Sequence, residues 1–138
     1  MTAARHIMTP DPAFLRVEET LHSAVSRIQE LDVESMPVCD SDGGLVAMLG
    51  QRDIMRQVLA GGLGRERTTI GELDGDKPVS ILPDDSAEGL INIMIDHRLR
   101  RLPVLDGSRL IGVVSLAAAG EAMPDGDVAL LIEALSIP

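Results

Sequence analysis

Two copies of one pattern make up most of this 138-residue chain. The lines Met36-Pro37-Val38-Cys39-Asp40 and Leu102-Pro103-Val104-Leu105-Asp106 recur at a shift of 66 residues, from Met36 to Leu102. The same shift carries Val17-Glu18-Glu19-Thr20 onto Pro83-Asp84-Asp85-Ser86, an acidic pair followed by a hydroxyl residue. Beyond the Asp the shift drops to 65, from Leu45-Val46-Ala47-Met48-Leu49 to Leu110-Ile111-Gly112-Val113-Val114, as a turn one residue shorter gives. Half of such a chain buries too little surface to fold securely alone, so the two copies are expected to pack on each other.

Each copy reads as strand, helix, strand, turn, strand, helix. Leu21, Ala24, Val25, Ile28 and Leu31 fall at steps of three and four, which predicts a helix face, and Glu18, Glu19 and Thr20 favour its start. Ala87, Leu90, Ile91 and Met94 repeat that face, with His97 in the place of Leu31. A second helix is expected from Gln51 to Ala60, capped by Gly61-Gly62, and its counterpart from Leu116 to Met123, stopped by Pro124. The predicted division is copy one over 1–63, a polar linker over 64–69, copy two over 70–124 and a tail over 125–138. In the tail, Val128, Leu131, Ile132 and Leu135 have the spacing of a short packing or dimer-contact helix.

Composition narrows the function. Phe14 is the one aromatic residue, so the core must come from Leu, Ile, Val, Met and Ala, and no stacking platform for bases is expected. A net charge of −10 opposes general binding to nucleic acid or anionic membrane. Charges are screened beyond about 8 Å at physiological salt, so the cluster Arg98, Arg100 and Arg101 can still attract a phosphate locally. The alternative is a solvated rim, and Arg98 is read that way. The single Cys39 excludes an intrachain disulfide and reads as a small buried hydrophobe, while His6, His22 and His97 lack metal-ligand spacing. No apolar run approaches the roughly 20 residues that span a bilayer, and Met1 to Arg5 lack a signal peptide's apolar segment, so the expectation is a soluble cytoplasmic protein.

With the repeat laid out, the sequence resembles a tandem pair of cystathionine-β-synthase (CBS) domains, a Bateman module, and is similar to small stand-alone actinobacterial pairs of the hypoxic-response type. The Pro-Val lines, the two strands after them, Gln51-Arg52-Asp53-Ile54 and Leu99-Arg100-Arg101-Leu102-Pro103-Val104 carry this, over about Ile7 to Met123. The resemblance implies an α/β fold of the α+β type, two pseudo-symmetric β-α-β-β-α repeats packed through their sheets. It also implies an adenosyl ligand such as AMP, ADP or ATP in the cleft between the repeats, a homodimer and a regulated protein partner.

The family's binding phrase is a glycine, two apolar residues, Ser or Thr, two variable residues and Asp. Its carboxylate accepts the ribose hydroxyls, its hydroxyl bonds ribose or phosphate, apolar strand residues sandwich the adenine, and an arginine before the Pro-Val line supplies phosphate charge. Copy one reads Ala47-Met48-Leu49-Gly50-Gln51-Arg52-Asp53, with the carboxylate but no hydroxyl; copy two reads Gly112-Val113-Val114-Ser115-Leu116-Ala117-Ala118, with the hydroxyl but no carboxylate. Arg101 matches the arginine and Ser35 replaces it in copy one. The resemblance thus nominates Asp53 with the Gly50 amide for ribose, Arg101 with Ser115 for phosphate, and Val79, Ile81 and Pro103 for the base. Asp53 also reads as a helix-start carboxylate and Ser115 as a helix cap. Two readings stand, a nucleotide-sensing module and a ligand-free dimeric scaffold. An enzyme is not expected, since no nucleophile lies in a base constellation and no phosphate-loop motif occurs; Gly61-Gly62-Leu63-Gly64 follows a helix instead of joining a strand to one.

Overall fold

A computed structural model of the chain describes residues 2–61, 67–73, 78–123 and 128–137. Gly62, residues 64–66 of the expected linker and Pro124 lie outside the described residues. The chain forms two compact units, one of Met1–Pro12 with Val79–Pro138 and the other of Ala13–Pro78.

In the Ala13–Pro78 unit, β2 (Leu15–Arg16) pairs in parallel with β3 (Ser35–Cys39), which pairs antiparallel with β4 (Leu45–Gly50). Helix α2 (Leu21–Glu30) joins β2 to β3, and α3 (Gln51–Gly61) follows β4. Thr20 caps α2 by accepting a hydrogen bond from the Ser23 amide at 3.1 Å. Leu21, Ala24 and Ile28 are buried, as their spacing predicts, and pack with Leu15, Met36, Val38, Leu49 and Ile54. Leu31 departs from the expectation: it caps the helix C-terminus and is 48% exposed, because the helix ends before the next turn of the apolar stripe.

The other unit repeats this plan. Helix α4 (Ala87–His97) is capped by Ser86, which accepts from the Gly89 amide at 3.1 Å, and leads to β5 (Arg101–Asp106), β6 (Arg109–Ser115) and α5 (Leu116–Glu121). The parallel partner shrinks to one bridge, Ile81 to Val104, the counterpart of Leu15 to Val38. Both hairpins carry the same bulge. Val38 faces Ala47 but Cys39 faces Leu45, leaving Val46 extra; Val104 faces Gly112 but Leu105 faces Leu110, leaving Ile111 extra. The change of shift from 66 to 65 lies in the turns, since Leu105 to Leu110 is one residue shorter than Cys39 to Leu45. The tighter turn is made by Gly107 at φ 65°, on the left-handed side that glycine takes without strain.

The units do not follow the copies in sequence. Helix α1 (Ala4–Ile7) and β1 (Thr9–Pro10) begin copy one, yet β1 pairs with β6 and Ala4 is buried in the core of copy two. Reciprocally, the 3-10 turn Ile70–Glu72 begins copy two, and Ile70 is buried in the core of copy one. The exchange obeys the 66-residue shift at the level of single bonds. Ala4 donates to the Asp85 carbonyl and Arg5 to that of Pro83, while Ile70 donates to Glu19 and Gly71 to Val17. The expected linker is correspondingly structured where it is described: Thr68 is buried, its carbonyl accepts from the Leu21 amide, and Thr69 bridges Thr20.

The tail helix α6 (Val128–Leu135) buries Ala134, with Ile137 beyond its end, whereas Ile132 and Leu135 of the expected packing face are exposed. Cys39 is buried, and burial followed by the neighbouring Asp40 carboxylate pushes its thiol pKa up. Phe14 is exposed, leaving the core aliphatic.

Glu19 ties the start of α2 together. Burial works to raise its pKa, but the Arg16 amide, the Ser23 hydroxyl and the Arg27 guanidinium all donate to its carboxylate and hold the pKa below the ordinary glutamate value. Arg27 also donates to the Phe14 carbonyl at 2.8 Å. Because the folded pKa is depressed, the stability from Glu19 is present above the ordinary glutamate pKa and is lost as pH falls through the lowered one. Denaturant titrations of Glu19→Gln and wild type near pH 7 and near pH 4 are expected to show a smaller acid-side loss in the variant. Equal losses would mean that this network carries no linkage.

Candidate functional site

Where each hairpin runs into its following helix, the two copies place their binding phrases on equivalent backbone. In the second copy Arg101 and Ser115 are direct partners across β5 and β6. The Leu116 amide donates to the Arg100 carbonyl at 2.7 Å, which marks Arg101–Ser115 as a non-hydrogen-bonded pair, the kind whose side chains approach closest. Both residues are half-buried, and Arg98 and Arg100 beside them are exposed. The register therefore sets Arg101 and Ser115, the two residues that the sequence nominated together, opposite each other on neighbouring strands.

In the first copy the equivalent partners are Ser35 and Gly50, without charge or side-chain hydroxyl at position 50. A Cβ on Gly50 would stand 3.0 Å from the Glu34 carbonyl oxygen, so the close approach of that backbone favours glycine. The Gly50 amide donates to Asp53 Oδ2 at 2.9 Å. The amide nominated for a ribose thus donates here to the carboxylate that starts α3.

Taken together, the phrases are two halves of one capping device. A capping box pairs a hydroxyl at the N-cap, accepting from the third helical amide, with a carboxylate at that third position, accepting from the N-cap amide. Copy two keeps the first half, with Ser115 Oγ accepting from the Ala118 amide at 3.1 Å. Copy one keeps the second, Asp53 to Gly50. The Ser/Thr-x-x-Asp spacing already held this signal.

The proposed base contacts differ among themselves. Ile81 and Pro103 are buried, and their main chains are joined by the Ile81 amide donating to the Pro103 carbonyl at 3.0 Å. Val79 is half-buried against the core of its own unit. Ile81 thus serves that core, and its sequence signal, an apolar residue after Val79-Ser80, does not separate a core strand from a base-contacting one. Among the described residues no three His, Cys, Asp or Glu side chains gather as metal ligands; His6 Nδ1 accepts from the Ala3 amide. No helix among the described residues is long and apolar enough to cross a membrane.

Comparison with known proteins gives a consistent result. The CBS domain family model matches residues 4–60 and 70–119. Hypoxic response protein 1 of Mycobacterium tuberculosis is 33% identical over 138 residues, covering all of this chain and 96% of that protein. The CBS domain-containing protein YhcV of Bacillus subtilis is 32% identical over 116 residues, 84% of this chain and 81% of that protein. Among solved structures, Hypoxic Response Protein I with two coordinated zinc ions aligns at a TM-score of 0.80 and 34% identity, covering 89% of this chain and all of that one. CBSX2 in complex with AMP aligns at a TM-score of 0.75 and 20% identity, over 96% of this chain and 99% of that one, which bears on the fold alone.

Proposed function

This chain belongs to the CBS domain family as a tandem regulatory pair, and from that premise we propose that it senses an adenine nucleotide or related adenosyl compound in the cytoplasm and signals to a partner protein. The observation that carries the reading is the facing pair Arg101 and Ser115. A guanidinium offers a planar fork of donors that fits a phosphate two-pronged, and a hydroxyl beside it adds a further donor. CBSX2, whose fold this chain shares, was solved in complex with AMP.

The two coordinated zinc ions are a property of the solved structure of Hypoxic Response Protein I, and zinc is not part of this proposal. A homodimer is part of the proposal. Met55 and Leu59, one turn apart on α3, are 58% and 78% exposed, an apolar face that a second copy would cover. The second reading, a ligand-free dimeric scaffold, is favoured by the use of Asp53 and Ser115 as caps.

Thermal shift separates the two. AMP, ADP, ATP, S-adenosylmethionine, NAD and cyclic dinucleotides are each added at millimolar concentration. At least one nucleotide is expected to raise the melting temperature of wild type, and Arg101→Ala is expected to abolish that rise with little change in the ligand-free melt, as for a half-exposed surface charge. No shift with any compound, with calorimetry in agreement, would leave the scaffold.

A further inference from the structure

We propose that Met8 is an oxidation site whose sulfoxide unlatches the N-terminal segment from the second copy. That segment begins copy one in sequence but is built into the unit of residues 79–138. At one end it is held by main-chain bonds, from the Ala4 and Arg5 amides to the carbonyls of Asp85 and Pro83 and from the Ala87 amide to that of Thr2. At the other end the hold is slighter: β1 is two residues long, Pro10 has no amide hydrogen, and the Asp11 amide reaches the Ile111 carbonyl only at 3.4 Å. The Met8 side chain sits between these ends and packs over Gly112, the residue of β6 that Pro10 faces. A Cβ on Gly112 would stand 2.8 Å from Met8 Cγ and closer still to Sδ, so the thioether fills the space that the missing side chain leaves. Copy one has Ala47 at that place, so this seat belongs to copy two.

Among the described methionines, Met8 alone combines access to solvent with a place in the packing. Met36, Met94 and Met123 are buried, and Met48 and Met55 lie outside both core clusters. Met8 is half-buried and packs against the core of residues 79–138. The oxidant is a hydroperoxide such as hydrogen peroxide. The sulfur lone pair attacks one peroxide oxygen, the S–O bond forms as the O–O bond breaks, and the proton on the transferred oxygen passes to the departing hydroxide to give water. Sulfur gives up two electrons and the peroxide takes them. The product sets an added oxygen and a strong dipole against an apolar seat that is already filled, which costs the free energy of burying an unpaired polar group. Lifting Met8 and β1 off β6, the strand that ends in Ser115, relieves that cost.

The test treats the intact protein with hydrogen peroxide and follows each methionine by peptide mass mapping, with hydrogen exchange and melting curves on the same samples. Met55, 58% exposed, reports that oxidant was delivered. Conversion of Met8 is expected to raise amide exchange over residues 2–12 and 109–115 by at least about tenfold and to lower the melting temperature by a few degrees. In Met8→Leu, which keeps the volume and removes the sulfur, the same treatment is expected to change neither. The proposal is overturned if Met8 stays a thioether after Met55 is converted, if Met8 sulfoxide forms without raised exchange, or if Met8→Leu responds to peroxide as wild type does.

Discussion

Ala118→Asp is expected to make the protein prefer AMP over 2′-deoxy-AMP by about tenfold or more and to raise its melting temperature by a few degrees. Both effects follow from completing the phrase that copy two holds in part. Residue 118 is the third residue of α5, and its amide already donates to Ser115 Oγ. The new carboxylate would reach back to the Ser115 amide as Asp53 reaches Gly50 at 2.9 Å. That amide takes no part in the ladder to Arg101, so it is placed to receive it. Capping interactions of this kind contribute about 0.5–2 kcal/mol, which moves the melting temperature of a domain this size by a few degrees. A hydrogen bond to a charged group contributes about 1.5–3 kcal/mol, or roughly tenfold to a hundredfold in affinity. Melting curves and paired titrations measure the two effects separately. A stabilised variant that remains indifferent to the 2′-hydroxyl would show that position 118 caps the helix without facing the ligand.

Ile70→Ala is expected to cost about 2–5 kcal/mol, the usual range for truncating a buried isoleucine, and to cost it in the unit that its position in sequence does not suggest. Ile70 opens copy two, but it is buried with Leu15, Leu21, Ile28 and Leu49 of copy one. Native-state hydrogen exchange is expected to show protection falling first over residues 13–78, with residues 79–123 retaining more. The reciprocal variant, Ala4→Asp, places an unpaired charge in the core of residues 79–138 and is expected to reverse the pattern. Loss of protection that follows the sequence copies would contradict the exchange of segments.

Much of the fold was legible because duplication supplies its own alignment. The 66-residue shift foretold α2 and α4, the Pro-Val strands and the shortened second turn, and the turn pairs Cys39–Leu45 and Leu105–Leu110 bear out the slip. The exchange of segments was not legible, since Ala4 and Ile70 are apolar in either arrangement and only long-range pairing decides which core takes them. Leu31 was misplaced because periodicity continues past the point where the helix stops. At the site, Arg101 and Ser115, nominated together through the resemblance, are register partners in the ladder. The burial of Ile81 and Pro103 was not foreseen, because an apolar strand residue looks the same whether it lines a ligand or fills a core.

The most direct measurement is an isothermal titration of AMP into the intact chain and into Arg101→Ala. A single class of saturable sites in wild type, lost in the variant while its fold and melting temperature are kept, is the expected result. Saturable binding that is unchanged by Arg101→Ala, or no binding to wild type at all, would contradict a nucleotide held by its phosphate at the end of the second hairpin.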